Sequence, residues 1–270
     1  MDEPTIERLR RISQSVHQVA AQGREAITVG PFQALLEPFT DMIWLNYAVP
    51  IAPLGSAREV AEALAELRRV FAERQRTIRF EFIEALWPAL PGALEEAGLQ
   101  LQARQPLMLC TPGDFQPFNA PDVQVQRLTD TENLEILTNY LSIQSESFNF
   151  GEINEPPSAE MIEQLREHLQ RGSWRCAMAT VEGMPAGGGC TMPLERLCEL
   201  AGVGTLPSMR RRGVAATLCS FLVQDHFDSG GDLVWLSAGD AVSQALYQKI
   251  GFSVVNTQLN YIDTDKNLAI

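Results

Sequence analysis

The feature that most constrains the fold is the segment 203–216, with the sequence VGTLPSMRRRGVAA. It opens with an extended, mainly apolar run that Pro207 ends. A helical pattern of apolar residues begins at Gly213 and continues to about residue 227. Three consecutive arginines, Arg210, Arg211 and Arg212, lie in the turn between them. The segment therefore predicts a strand, a tight basic turn and a helix, which is a building unit of α/β folds.

This turn has the composition of a phosphate-binding site. The first turn of a helix has free backbone N–H groups and carries about half a positive charge from the aligned peptide dipoles. Gly213 and the small residues Ala215 and Ala216 let a diphosphate approach the backbone, while the arginines add positive charge. The alternative is a solvated basic turn in which Gly213 only permits a bend. The sequence contains neither a P-loop motif nor the glycine-rich dinucleotide motif.

The charge and the cysteines of the chain limit its partners. The formal net charge is -13, so we expect no general affinity for nucleic acid, and the acidic surface favours a cationic ligand. No segment reads as a secretory signal or a membrane span, so we expect no membrane association. The five cysteines are widely spaced without a C-x-x-C pair, which argues against a disulfide framework and a zinc site. Reduced thiols indicate a cytoplasmic compartment.

Strand and helix patterns alternate in both halves of the chain, which indicates an α/β architecture. The first half predicts strands at 32–36 and 44–49 and a long helix after the candidate N-cap Ser56. The proline-rich stretch 111–121 predicts a linker, so the sequence divides into domains 1–118 and 119–270. Each half ends with a short helix, a glycine (Gly98 or Gly251) and a terminal strand. This similarity suggests an internal duplication, although such junctions are common.

Two motifs in the second half resemble those of the GNAT superfamily of N-acyltransferases. Arg210, Gly213 and Ala215 match its Q/R-x-x-G-x-G/A cofactor motif, and the Leu-Tyr pair that contains Tyr247, followed by Gly-Phe, is similar to its second signature. The resemblance covers residues 123–262 and implies a mixed sheet flanked by helices. The first half resembles a degenerate copy, because it lacks the cofactor motif and has Leu94 at the place of Tyr247. We therefore expect two GNAT-like domains in tandem, of which only the second binds coenzyme A.

The resemblance also implies acetyl-CoA as co-substrate, without a metal. Its pantetheine arm is expected to pair with the strand before the basic turn, and its diphosphate to lie on the backbone amides of the helix start. Asp240 stands where many relatives have Asn, which leaves its contact with the cofactor open. The implied cofactor-binding residues are Val203, Gly204, Thr205, Arg210, Arg211, Arg212, Gly213, Val214, Ala215, Ala216 and Asp240.

Two side chains are implied to be catalytic by the same resemblance. Tyr247 is the candidate acid that protonates the departing thiolate, and the alternative is that its ring only packs against and orients the cofactor. Glu199 matches the catalytic glutamate of the histone-acetylating branch and is the candidate base. Its alternatives are a solvent-facing residue or a structural ion-pair partner, and many relatives use bound water instead of a side-chain base.

The predicted function is transfer of an acetyl group from acetyl-CoA to a primary amine. A small amine, an antibiotic, a peptide N-terminus and a protein lysine all fit as acceptors, and the sequence predicts no oligomeric state. Two other functions are compatible with the motifs: a non-catalytic acyl-CoA-binding module that acts through a protein partner, and a purely structural tandem fold. Turnover distinguishes the enzyme from the module, and coenzyme A binding distinguishes the module from the structural fold.

Overall fold

The computed structural model describes residues 2–21, 23–38, 41–148 and 156–264. Strands and helices alternate along the chain, as the sequence predicts. Their order is α1 (Glu3–Ala21), β1 (Glu25–Val29), β2 (Phe32–Leu36), β3 (Tyr47–Pro50), α2 (Ala57–Glu73), β4 (Arg79–Ile83), α3 (Leu90–Glu96), β5 (Leu99–Cys110), β6 (Val123–Arg127), α4 (Leu134–Phe148), α5 (Ala159–Arg171), β7 (Arg175–Val181), β8 (Met184–Leu194), β9 (Leu197–Thr205), α6 (Val214–Asp228), β10 (Leu233–Ser237), α7 (Ala241–Lys249) and β11 (Ser253–Asp263). Within the described ranges, no helix combines the length and the apolar character that crossing a membrane requires.

Contacts within the chain define two compact units. The first comprises the chain up to Leu107, the segment Ser237–Gly239 and the residues from Val254 onward, and the second comprises Met108–Leu236 and Asp240–Ser253. The sequence predicts a single boundary between residues 118 and 119. In the structure β11 returns to the first unit because it pairs antiparallel with β4, with Leu259 opposite Phe82. The last strand therefore groups with the first unit, and the boundary between residues 118 and 119 stays a prediction.

The first unit is a mixed sheet with the strand order β1-β2-β3-β4-β11-β5. An apolar cluster lies between the sheet and α2, whose residues Val60, Leu64 and Leu67 are buried at helical spacing. Phe32 and Phe80, on β2 and β4, meet edge to face in this cluster with ring centroids 5.2 Å apart. The amphipathic pattern of α2 thus orients the helix on the sheet.

The second unit is a sheet with the strand order β10-β9-β8-β7-β6. Strands β6 to β9 pair antiparallel with their neighbours, and β10 pairs parallel with β9. Helices α4 and α5 cover one face of this sheet through an apolar cluster that includes Tyr140, Ile143 and Leu165. All five cysteines of the chain are buried free thiols. The mixed α/β architecture predicted from the sequence is therefore confirmed.

Three consecutive glycines on β8 allow helices to approach the sheet from both faces. A Cβ atom added to Gly187 would lie 2.7 Å from Val214 on α6, and one added to Gly189 would lie 3.5 Å from Leu218 of that helix. A Cβ on Gly188 would instead meet Tyr140 of α4 at 3.1 Å. Since successive strand residues point to opposite faces, α4 and α6 lie on opposite sides of the sheet. Their close approach positions both helices against β9, the strand that leads into the basic turn.

Candidate active site

Strand β9 has an unpaired edge where it approaches the basic turn. Its parallel pairing with β10 runs from Leu197 to Glu199, and no later residue of β9 pairs with β10 within the described part of the chain. On its other side β9 pairs with β8 up to Thr205, with a shift of register between Gly188 and Cys190. At this β-bulge β9 has one residue more than β8, and Gly202 of β9 adopts a left-handed backbone angle there, with φ of +60°. The backbone groups of β9 beyond Glu199 are thus available to an extended ligand.

The turn after β9 leads directly into the start of α6. A short 3-10 helix, Pro207–Met209, follows the strand, and the Arg210 guanidinium donates to the Thr205 carbonyl at 3.4 Å. Arg211 and Gly213 both have left-handed backbone angles, with φ of +62° and +80°. Gly213 is the N-cap of α6, and among the described residues this helix start has no side-chain cap hydrogen bond. The N–H groups of the first turn therefore point out of the helix without a side-chain cap.

The arginines of the turn are exposed at this helix start. Arg212 donates to the Glu182 carboxylate at 3.2 Å, and both side chains are largely exposed, so this ion pair contributes little to stability. Among the described residues, Arg211 makes no ion pair. The local positive charge that the sequence predicts is therefore available next to the uncapped end of α6.

Gly213 is also packed against the segment that precedes β6. A Cβ atom on Gly213 would lie 2.8 Å from the Cβ of Ala120 and 3.2 Å from Cε1 of Phe118. This segment is fixed to α6 by two hydrogen bonds, from the Phe118 N–H to Ser220 Oγ and from the Ala120 N–H to Thr217 Oγ1, each 2.9 Å long. The glycine is thus required by its backbone angle and by its neighbours, in addition to any ligand.

Tyr247 lies on α7 with its ring near Phe252, at a centroid distance of 5.8 Å. Burial raises the pKa of the Tyr247 phenol well above its usual value, and the nearby Cys219 thiol of α6 and Asp240 carboxylate add to the shift. The phenol is therefore protonated at every pH at which the protein is expected to work. This is the state that an acid requires.

Asp240 has a structural role at the start of α7. It is the N-cap of this helix, and its Oδ1 accepts the Ser243 N–H at 2.7 Å. The hydrogen bond from Ser243 lowers the pKa of the Asp240 carboxyl, so the group is anionic at neutral pH. The cap accounts for an acidic residue at this position, and a contact between Asp240 and a cofactor stays a prediction.

Glu199 lies at the last rung of the pairing between β9 and β10, with Met192 and Trp235 as its neighbours on the two flanking strands. Its side chain is half-buried. Burial raises the pKa of the neighbouring Cys198 thiol; the positive charge of Arg175 opposes this shift and the Glu199 carboxylate adds to it. The structure therefore brings Glu199 to the point where β9 and β10 separate. Its role as a base stays a prediction.

Two polar residues of α4 lie against the glycines of β8 and β9 and are absent from the predicted site. A Cβ on Gly188 would be 3.1 Å from Nε2 of Gln144, and a Cβ on Gly204 would be 2.6 Å from Oγ of Ser147. These two polar atoms are buried and have no hydrogen-bond partner among the described residues. The i, i+4, i+7 spacing of Tyr140, Gln144 and Ser147 is the sequence signal that indicates their common face.

The site matches the chemical groups of coenzyme A in two respects. The uncapped start of α6 with its arginines suits a diphosphate. The open edge of β9 suits the two amides of the pantetheine arm. The hydroxyl of Thr205, at the end of this edge, is buried without a hydrogen-bond partner in the described part of the chain. An unpaired polar atom at the junction of strand and turn is a further position where a polar ligand can bind.

Comparison with known proteins identifies similar families and structures. Residues 137–252 match the model of the acetyltransferase (GNAT) family. The chain is similar to a GCN5-related N-acetyltransferase from Kribbella flavida, with 26% identity, a TM-score of 0.77 and 97% of each chain covered. It is also similar to a GCN5-related N-acetyltransferase from Sphaerobacter thermophilus, with 16% identity, a TM-score of 0.63 and coverage of 86% of this chain and 76% of that one. No curated protein matches the chain.

A third structure bears on the tandem organisation. A tandem GNAT protein from the clavulanic acid biosynthesis pathway has 11% identity and a TM-score of 0.59, and the match covers 86% of this chain and 77% of that one. At this identity the similarity concerns the fold alone. Because the matches extend over both halves, the predicted tandem of GNAT-like folds is confirmed, including a GNAT-like N-terminal half.

Proposed function

We propose, on the premise that residues 137–252 form an acetyltransferase domain of the GNAT family, that the protein transfers an acetyl group from acetyl-CoA to a primary amine. The observation that carries this proposal is the uncapped start of α6 next to the open edge of β9. A thioester cofactor with a diphosphate and an amide-bearing arm needs both features side by side.

The first unit contains a helix start that can be compared with that of α6 and that is closed by a side-chain cap. Its helix α2 follows strand β3 as α6 follows β9, but Ser56 caps it with a complete capping box. The Ser56 side chain accepts the Glu59 N–H at 3.3 Å, and the Glu59 carboxylate accepts the Ser56 N–H at 2.7 Å. A carboxylate thus occupies the helix start where a phosphate would bind. This supports the proposal that only the second unit binds coenzyme A.

The residues of the second unit can each serve one step of acyl transfer. When bound, acetyl-CoA supplies an acetyl group activated as a thioester. A backbone N–H on the open edge of β9, within Val203 to Thr205, donates to the carbonyl oxygen as negative charge develops there. Tyr247 holds the proton that the departing sulfur requires, and its raised pKa keeps the phenol protonated. Glu199 accepts the proton that the amine loses, directly or through water.

The charge of the protein supports an amine as the second substrate. A net charge of -13 attracts cations to the surface, although the site of the anionic cofactor carries three arginines. Gln144 and Ser147 present uncharged polar atoms on the opposite side of β9 from α6. We infer that these two side chains orient the acceptor or the acetyl group, because their polar atoms lie at the bulge without partners among the described residues.

The function is tested by combining binding with turnover. Calorimetric titration with coenzyme A is expected to give one site per chain, and thiol release from acetyl-CoA is expected with at least one primary amine of a panel. Binding without thiol release on any amine would support a non-catalytic acyl-CoA module instead. Two equivalent sites per chain would contradict the assignment of binding to the second unit alone, and absence of binding would refute the proposed function.

A further inference from the structure

A cavity beside α6 takes no part in the chemistry described above. Its volume is about 320 Å³, and it lies between α6, the edge strand β6 and residues 117–119. Phe118, Val123 and Phe221 give it an apolar lining, while Ser220 and Gln224 contribute a hydroxyl and an amide. Pockets for whole small ligands range from about 300 to 1,000 Å³. This cavity is at the lower limit, which suits one ring system better than an entire cofactor.

Phe118 connects the cavity to the start of α6. Its side chain is 45% exposed, although it is a large aromatic residue in a segment that is fixed to the helix. The ring edge lies beside Gly213, at 3.2 Å from the position of a Cβ on that residue. The backbone N–H of Phe118 donates to Ser220 Oγ at 2.9 Å, so the backbone that carries the ring is held against the helix. An exposed aromatic ring on an anchored backbone therefore borders both the cavity and the N-cap of α6.

We propose that Phe118 and this cavity bind the adenine ring of coenzyme A, an inference that rests on the proposed function. A diphosphate on the first turn of α6 leaves the attached nucleoside next to Phe118, because the edge of that ring lies 3.2 Å from the position of a Cβ on Gly213. Adenine stacks on aromatic rings, and amide side chains such as Gln224 pair with its polar edge. The apolar lining with a few polar groups is typical of such a ring-binding pocket.

This assignment predicts that Phe118 recognises the adenosine part of the cofactor and not its pantetheine arm. Phe118 contributes to the affinity for coenzyme A but not to that for 4′-phosphopantetheine, which lacks the adenosine part and keeps one phosphate. A residue that only stabilises the fold of the linker would affect both ligands alike. Stacking of a base on an aromatic ring contributes enough for a loss on the order of tenfold in affinity when the ring is removed.

The test compares the two ligands on four proteins. The dissociation constants of coenzyme A and 4′-phosphopantetheine are measured by calorimetry for the wild type, Phe118→Ala, Phe118→Tyr and Met184→Ala. Phe118→Tyr keeps the stacking ring, and Met184→Ala removes another exposed apolar side chain of the second unit, 60% exposed at the start of β8. We expect Phe118→Ala to bind coenzyme A about tenfold more weakly with unchanged 4′-phosphopantetheine binding, while both controls match the wild type.

Each other outcome overturns the inference and separates it from the proposed function. If the wild type binds both ligands and Phe118→Ala binds coenzyme A equally well, adenine lies elsewhere and the proposed function is unaffected. An equal loss for both ligands would make Phe118 a structural residue of the linker. A wild type that binds neither ligand would refute the proposed function and the adenine site together.

Discussion

The close contact of Gly213 with the segment before β6 makes a quantitative prediction about stability. Gly213→Ala places a Cβ on a residue with φ of +80°, where left-handed backbone costs about 1–2 kcal/mol for an L-residue. The same Cβ would lie 2.8 Å from that of Ala120, and overpacking of this kind costs about 1–3 kcal/mol. We therefore expect Gly213→Ala to lower the free energy of unfolding by about 2–5 kcal/mol in total.

Gly230 provides a matched control for the backbone effect. Its φ is +88°, and an added Cβ would have no atom within 4 Å, so Gly230→Ala carries the conformational cost without the clash. The difference between the two variants then measures the packing of Gly213 against Ala120 and Phe118. A third variant, Gly213→Ala with Ala120→Gly, is expected to recover part of that difference, because it removes the atom at 2.8 Å.

The measurement is urea denaturation followed by circular dichroism. The free energies of unfolding are compared only between variants in which they depend on the urea concentration with the same slope. Calorimetric titration with coenzyme A on the folded variants is the second readout. We expect Gly213→Ala to bind more weakly than Gly230→Ala, since the backbone at Gly213 sets the direction of the first N–H groups of α6. Equal losses of stability in the two glycine variants, with no coupling to Ala120, would refute the packing argument.

Three further predictions concern ionisable side chains. Tyr247→Phe is expected to lower turnover about a hundredfold or more with a nearly unchanged dissociation constant for coenzyme A, and a loss of less than about threefold with chemistry rate-limiting would leave Tyr247 a packing residue. Arg211→Ala should weaken coenzyme A binding more at low than at high salt, whereas Arg171→Ala, another exposed arginine, should have no effect. Burial lowers the pKa of His17 from 6.5 to about 4, so the unfolded chain binds a proton first as the pH falls. Stability should therefore decrease between pH 6.5 and 4 by up to about 3 kcal/mol, and His17→Gln should reduce this slope in pH-dependent unfolding.

The parts of the fold that the sequence predicts well depend on local backbone chemistry. Ser56 caps α2 as predicted. The hairpin of β7 and β8 turns at Glu182 and Gly183, which both have positive φ. Gly98 and Gly251, the paired glycines of the two halves, both follow short helices with φ of +88° and +102°. In each case one residue type fits a local conformation that others adopt only at a cost, so the signal is present within a few residues.

Where the prediction was wrong or incomplete, tertiary contacts decide the outcome. The strand predicted at 44–49 begins at Tyr47, because Trp44 lies in a 3-10 helix with 53% of its side chain exposed. Strand β1, Glu25–Val29, is missing from the prediction, and only Val29 of its residues is buried. A strand with a mostly exposed pattern has little hydrophobic periodicity, so it is recognised only by its pairing with β2.

The candidate site shows the same division between local and tertiary information. The basic turn between a strand and a helix from Arg210 to Ala216 is recognised from its composition, because a glycine, small residues and arginines follow one another there. Its role as an anion site stays a prediction. The contact of Gly213 with Ala120, and the positions of Gln144 and Ser147 against the glycines of β8 and β9, depend on segments distant in sequence. No motif marks such contacts, and they are visible only after the strands are aligned.

The contrast between the two helix starts indicates how one unit of a duplicated fold can keep an anion site while the other lacks it. A Ser cap with its reciprocal glutamate stabilises a helix start by about 1 kcal/mol relative to Ala, as at Ser56 and Glu59 of α2. Glycine at the N-cap is only a few tenths of a kcal/mol worse than these residues. A glycine at this position has no side chain that could accept from the N–H groups of the first turn, as at Gly213 of α6. A small change in stability thus separates a closed helix start from an open one, so a single capping residue and its partner carboxylate are enough to distinguish the first unit from the diphosphate site that we propose for the second.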